Sequence, residues 1–227
     1  MTESRLVPRG LLRLTADPLF GEAFLGAVVI EYASRWPEVS VELLLTRRRV
    51  SLVEEGFDAA VRVGQIDDPT LSARKLGPAR IRYCASPAYL SRRGTPRTPA
   101  DLGAHECIAV TGEGAPTRWP FAGTKGPALV PVSGRLRVSS SAIAQEAARA
   151  GLGIALMPEF ACAEDVRRGR LVPVLDEHVI DVGAVWLVHP TDRYLSARVR
   201  AFLDLAVERL GTSPPWVTAP PRKRARR

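Results

Sequence analysis

Between Leu11 and Gly64 the hydrophobic period changes repeatedly, and that alternation constrains the fold more than any other feature of the sequence. "LLRLTA" (Leu11–Ala16) alternates with period two, as a half-buried strand does, and "DPLFG" interrupts it. Over Phe24–Trp36, Leu25, Val29, Tyr32 and Trp36 recur at helical spacing, while Phe24, Ala27, Val28 and Ile30 make a second apolar face. A helix apolar on two faces is covered on both, either inside its own lobe or by a second subunit. "PEVSVELLL" returns to period two, with Val39, Val41, Leu43 and Leu45 on one face. "RRRVSLVEEG" predicts a short helix with Val50 and Val53 inward, and "FDAAVRVG" predicts the next strand. Strand, helix, strand, helix, strand is the pattern of a doubly wound parallel sheet.

Downstream the units continue. "ARKLGPARIRYCAS" supplies two extended pieces, "PAYLSRRG" a helix opened by proline, and "TPRTPADLGAHECIAV" a loop, a helical turn and a strand. The Gly- and Pro-rich "TGEGAPTRWPFAGTKGPALVP" reads as a hairpin or loop. "SGRLRV" predicts a strand, and "SSSAIAQEAARAG" a helix with a serine N-cap and a glycine stop. "LGIALMP", "RLVPVL" and "GAVWLVHP" predict strands, with the helix "EFACAEDVRRG" between the first two. A last amphipathic helix, "SARVRAFLDLAVERL", places Val199, Phe202, Leu203 and Ala206 on one face. The Pro-rich, basic segment 211–227 predicts a disordered tail.

The net charge of +8 is concentrated at one end. Removing the five cations of the final "RKRARR" leaves the other residues at about +3, so the body is only mildly basic, which weakens the nucleic-acid signal, and loose DNA contact would fall to the strongly basic tail. No apolar run reaches the length of a membrane span, and "MTESRLVPRGLLRLTAD" has no apolar core of a secretory signal. Cys84, Cys107 and Cys162 are widely spaced and odd in number, as expected for reduced thiols in a cytoplasm.

Catalytic chemistry finds little support. Glu54 and Glu55 are neighbours on a predicted helix and diverge around its axis, so they are a solvated face rather than an acid/base pair. His105, His178 and His189 lie far apart, without metal-ligand spacing. Neither G-x-S-x-G nor H-E-x-x-H occurs. No cofactor is expected. Arg47–Arg49 reads as a solvated turn, with Thr46 at the end of its strand the better pocket residue.

Six segments in order carry a resemblance: "GLLRLTADPLFG", "YASRWPEVSVELLL", "VSLVEEGFDAAVRVG", "LGPARIRYCASPAYLSRRGTPRTPADL", "VPVSGRLRVSSSAIAQEAARAGLGIALMPEF" and "GRLVPVL". Together they resemble the C-terminal effector-binding domain of LysR-type transcriptional regulators over nearly the whole chain. The resemblance implies an α/β, two-lobe fold like that of type 2 periplasmic binding proteins. Lobe I would be residues 8–84 plus 186–210 and lobe II residues 85–185, joined by crossover strands near Tyr83–Ser86 and Ala184–Val188. It further implies a homodimer formed side by side, through Leu25, Val29 and Tyr32 of the first helix and Val41 and Leu43 of the edge strand. The family's winged helix-turn-helix is expected to be absent here, since the match begins after Arg9. DNA would then be a partner only through that domain, apart from non-specific tail contact, and a membrane is not a partner.

In open parallel sheets, ligands sit beyond the carboxyl ends of strands, where helix N-termini point. Thr15–Gly21, Val63–Gly64 and Ser139–Ser141 qualify, and the resemblance puts the same segments in the effector cleft. The expected ligand-binding residues are Thr15, Ala16, Pro18, Phe20, Thr46, Val63, Gly64, Ser139 and Ser140, and a small organic acid is the expected effector. Asp17 opposes an anion. The competing readings are a free solute-binding protein of the same fold, an enzyme on the two-lobe scaffold, and a short relative acting by heterodimerisation.

Overall fold

The computed structural model describes residues 7–110, 117–123, 126–191 and 195–217. The chain divides into two compact units, one running to Ala79 and resuming at Gly183–Val217, the other Arg80–Val182.

The first unit is built on β1 (Gly10–Ala16), β2 (Val39–Leu45), β3 (Ala59–Gly64), β4 (Leu71–Pro78) and β12 (Ala184–Pro190), in the order β2-β1-β3-β12-β4. β1 pairs in parallel with β2 and β3, as the βαβ pattern requires, whereas β12 runs antiparallel to both of its neighbours. A helical run leaves β1 as α1 (Pro18–Phe20), continues through a π-helical segment (Gly21–Leu25) and ends as α2 (Gly26–Arg35). Asp17 starts it by accepting from the Leu19 N–H at 2.9 Å. The last helix, α6 (Ala197–Leu210), packs on α2: the Tyr32 ring meets Phe202 edge-on, and its hydroxyl donates to the Arg198 carbonyl at 2.8 Å. Glu31 accepts two bonds from Arg209 across the same contact.

The second unit holds β5 (Ile81–Ala85), β6 (Cys107–Val110), β9 (Arg137–Val138), β10 (Ile154–Pro158) and β11 (Val172–Val174), in the order β11-β5-β10-β6-β9, with β7 (Arg118–Gly123) and β8 (Gly126–Pro131) as a separate hairpin. Its helices are α3 (Pro87–Arg93), α4 (Ser141–Arg149) and α5 (Glu159–Arg167). Ser86 caps α3 and Ser140 caps α4. The hairpin closes over Tyr83, which stacks on Phe121 with centroids 4.5 Å apart and donates its hydroxyl to the Pro120 carbonyl. The strand expected over Ser133–Val138 is only two residues long. Gly134 instead passes so close to β6 that a Cβ there would lie 2.2 Å from the Cys107 carbonyl oxygen.

Four expectations need correction. The segment 47–56 is a turn, not a helix: Glu55 N–H reaches Ser51 and Phe57 N–H reaches Leu52, and nothing propagates further. Leu52 and Val50, not Val53, therefore face inward, where they pack with Phe57, Ala60, Leu71 and Val188. Tyr83–Ser86 does not begin a passage between units, because Cys84 of β5 pairs with Ala155 on one side and Pro173 on the other, inside the second sheet. The tail is not free from residue 211 onward: Trp216 is 4% exposed, lies against Phe20 and Phe24, and donates from Nε1 to the Pro78 carbonyl at 2.9 Å. The remainder of the expected tail, 218–227, lies outside the described residues.

Leu25 and Tyr32 are 1% and 0% exposed within their own unit, so their side chains are unavailable to a partner. The helix face left open carries Ala27, Ile30 and Ala33 instead, with Ile30 at 70% exposure. Helical spacing alone does not say which of two apolar faces meets the sheet.

Candidate functional site

The carboxyl ends of the three parallel strands of the first unit lie together. The parallel register sets Ala16 beside Leu45 and Val61, and Thr46 N–H donates to the Ala16 carbonyl at 2.9 Å. β3 runs three residues further, to Gly64. Thr15, Ala16, Thr46, Val63 and Gly64 are thus gathered at one sheet edge, and the helical run that begins at Pro18 starts from the same edge.

Their side chains differ in what they offer. The Thr15 hydroxyl hydrogen-bonds no described residue, although Thr15 is 5% exposed. The Thr46 hydroxyl accepts from Arg48 N–H at 3.2 Å and keeps its own proton to donate. Val63 is 53% exposed. Gly64 has φ of +112°, conformational territory that glycine enters freely, and its carbonyl accepts from Trp186 Nε1 at 2.8 Å. Trp186 therefore holds the glycine in place, a role that no local pattern in the sequence announces.

Phe20 is not a lining residue. It is 2% exposed and forms an aromatic cluster with Phe24 and Trp216. Ala16 is also buried, and Pro18 is half-buried at the start of α1. Asp17, which stood against an anionic ligand, is engaged as a helix cap.

In the second unit Ser139 and Ser140 precede α4. The Ser140 oxygen accepts from Ile143 N–H at 3.5 Å, while the exposed Ser139 hydroxyl hydrogen-bonds no described residue. The two serines thus divide their work: one caps the helix and the other is unengaged.

In the stretch from Ser51 to Gly64, Glu55 and Asp58 are structural, and Glu54 is exposed. Glu55 accepts from Arg48 at 2.8 and 2.5 Å, which holds its carboxyl below the usual range. Asp58 is buried and accepts from the Arg13 N–H at 2.9 Å. Arg62, half-buried on β3, donates to the Val50 carbonyl at 2.5 Å; burial lowers its pKa, as does neighbouring Arg49. Among the described residues no group of three or more His, Cys, Asp or Glu is placed to hold a metal ion. Each histidine is engaged separately: His105 with Tyr89, His178 with the Arg97 carbonyl and His189 with the Pro190 carbonyl. No helix among the described residues is long and apolar enough to cross a membrane.

Comparison with known proteins places this geometry in context. The family model described as the LysR substrate binding domain matches residues 6–211. The chain is similar to the HTH-type transcriptional regulator CrgA of Neisseria meningitidis serogroup C (strain 8013), at 31% identity over 208 residues, covering 91% of this chain and 69% of CrgA. It is similar to the probable HTH-type transcriptional regulator LtrA of Klebsiella pneumoniae, at 33% identity, covering 89% of this chain and 66% of LtrA. The solved regulatory domain of CrgA from Neisseria meningitidis matches with a TM-score of 0.74 and 30% identity, over 90% of this chain and 100% of that one. The chain thus spans 66–69% of the length of these curated relatives.

Proposed function

The chain belongs to the LysR-type regulator family through its substrate-binding domain, and from that premise we propose that it senses a small organic acid and passes the signal to transcription through the geometry of a homodimer. The observation that carries the reading is the pair of hydroxyls without described partners, Thr15 and Ser139, each at the end of a strand where a helix begins. Hydroxyls and helix N-termini both favour a carboxylate. Within the first unit, Thr46, Val63 and the Gly64 backbone lie at the same sheet edge as Thr15. The ligand acts by binding one state of the domain better than another.

The dimer reading rests on the open face of α2 and on β2, an edge strand that pairs only with β1 among the described residues. Ile30, Val29, Val41, Leu43 and Leu44 supply partly exposed apolar surface there. DNA would be engaged by a helix-turn-helix distinct from residues 6–211, and the protein would work in the cytoplasm. The relatives are named as regulators, which favours a sensor over an enzyme.

Calorimetric titration of a panel of aromatic and aliphatic carboxylic acids tests the site. Thr15→Val tests the sheet edge of the first unit and Ser139→Ala the start of α4 in the second; the substitution in the unit that holds the acid weakens affinity by about 0.5–1.5 kcal/mol, the net worth of one hydrogen bond. An acid whose affinity ignores both substitutions places the site elsewhere. A turnover product in the same titration would revive the enzyme reading.

A further inference from the structure

Tyr89 of α3 is buried in a core cluster of the second unit, together with Leu102 and Cys107. The α3 cap sets its backbone, since its N–H donates to the Ser86 Oγ at 3.3 Å. Its hydroxyl reaches the turn that leads into β6. There the Glu106 N–H donates to the Tyr89 Oη at 2.9 Å, and the Oη lies 3.1 Å from the His105 Nδ1. An amide hydrogen already points at the phenol oxygen, so the phenol proton is left for the ring nitrogen. That assigns the tautomer: Nδ1 accepts, and Nε2 carries the imidazole proton. Two consecutive residues, His105 and Glu106, are thus tied to one hydroxyl of α3.

We propose that the Tyr89–His105 bond is an acid-operated latch: when the ring takes a second proton, on Nδ1, that bond is lost and the segment 94–106, which joins α3 to β6, loosens. A protonated Nδ1 can only donate. To receive it, the Oη would have to accept from two N–H groups and turn its own proton away, in a side chain that the core surrounds. The other end of the segment stays fastened. The His178 Nε2 meets the Arg97 carbonyl at 3.3 Å, and a carbonyl only accepts, so that bond survives protonation of His178.

The charges around the ring come from three elements. From α3, the Arg93 Nη2 donates to the Ala104 carbonyl at 3.3 Å, which sets a guanidinium one residue from His105. From the helical turn Pro99–Ala104, Asp101 brings the opposite charge, but its carboxylate accepts from the Arg97 and Thr98 N–H groups at 2.8 and 2.9 Å. At the start of β6, the Glu106 carboxylate accepts from the Arg135 N–H at 2.9 Å, and the Cys107 thiol is buried. Burial first, and then Arg93, hold the ring below its ordinary pKa of 6.5; Asp101 opposes them without prevailing. A depressed histidine contributes stability that is fully present above the unfolded value and is lost as pH falls through the folded one. The latch is therefore closed near neutrality and opens in acid.

The experiment follows the full native chain by NMR from about pH 8 to about pH 5. At the upper end, nitrogen-15 shifts should show His105 with a bare Nδ1 and a protonated Nε2, and the ring should titrate below 6.5. Over the same fall the exchange protection of the Glu106 amide, corrected for the intrinsic pH dependence of exchange, should drop by about two- to tenfold, the worth of one hydrogen bond, while amides of β5 hold theirs. His105→Asn, whose side-chain carbonyl accepts the Tyr89 proton at any pH, should abolish the drop. Tyr89→Phe should leave the Glu106 amide unprotected throughout and move the His105 titration up; the parent chain's readings decide even where this variant does not fold. A proton on Nδ1 at the upper end, a titration at or above 6.5, or Glu106 protection that stays flat while His105 titrates each overturns the proposal.

Discussion

Trp216 stands edge-on to Phe20, with ring centroids 5.0 Å apart and planes inclined at 68°. Through that contact the segment following α6 becomes part of the first unit's core, beside the helical run that opens at Pro18. The indole also bonds the Pro78 carbonyl, and a Cβ on Gly77 would come within 2.8 Å of Pro214. Trp216→Ala is expected to cost about 3–5 kcal/mol, the usual loss for a buried aromatic truncated to a methyl. Urea denaturation of the two chains measures it; a loss below about 1 kcal/mol would mean that the indole contributes little there.

Asp165 is completely buried and accepts from Gln145 at 2.7 Å, Arg149 at 2.6 Å and Arg170 at 2.6 Å. Burial raises its pKa, but these donors outweigh burial and hold the carboxyl below its ordinary value. A depressed carboxyl contributes stability that is fully present above the unfolded value, near 3.8, and is lost as pH falls through the folded one. Asp165→Asn should therefore flatten the fall in stability below about pH 4. Asp165→Ala should cost about 3 kcal/mol near neutrality, because cations of α4 and of the segment after α5 lose their common partner. Melting temperatures across pH 2.5–7 separate the two effects.

Tyr32 and Ile30 should respond oppositely to charge. Tyr32→Asp puts a carboxylate between Phe202 and the Arg198 carbonyl, and the chain is expected to unfold. Ile30→Asp faces solvent within the chain, so its melting temperature should stay within about 2 °C of the parent. If α2 is the dimer contact, Ile30→Asp also gives monomers on sedimentation at micromolar concentration. Parent chain that sediments as a clean monomer removes the dimer reading.

Gly64 and Gly183 both take positive φ, at +112° and +91°. A Cβ on Gly64 meets nothing within 4 Å, whereas one on Gly183 lies 2.9 Å from the Gly64 carbonyl oxygen. Gly64→Ala should therefore cost only the backbone strain, about 1–2 kcal/mol. Gly183→Ala adds a clash with backbone and should be the more damaging of the two. Equal losses in chemical denaturation would show that the strand relaxes freely at that crossing.

What the sequence determined by itself is local. Period two in Leu11–Ala16 and Val39–Leu45, the proline that opens α3 and the serines that cap α3 and α4 act within a few residues, so their consequences are readable in order along the chain. The gathering of Thr15, Thr46 and Gly64 at one sheet edge was legible for the same reason, because parallel strands joined by short crossovers bring their carboxyl ends together. Tertiary structure decided whatever depended on two distant segments meeting. Tyr32 is inward because α6, some 166 residues later, supplies a carbonyl and a phenyl ring. Leu52 displaced Val53 from the core because a turn, rather than a helix, satisfied the backbone around Phe57. Trp216 looked like tail until Phe20 and Pro78 gave its ring and its N–H a place. Arg82 and Glu159, 77 residues apart, meet only when α5 packs on β5. Backbone preference is written in neighbouring residues, but burial and hydrogen-bond partnership belong to pairs, and their second members are fixed only when the chain closes on itself.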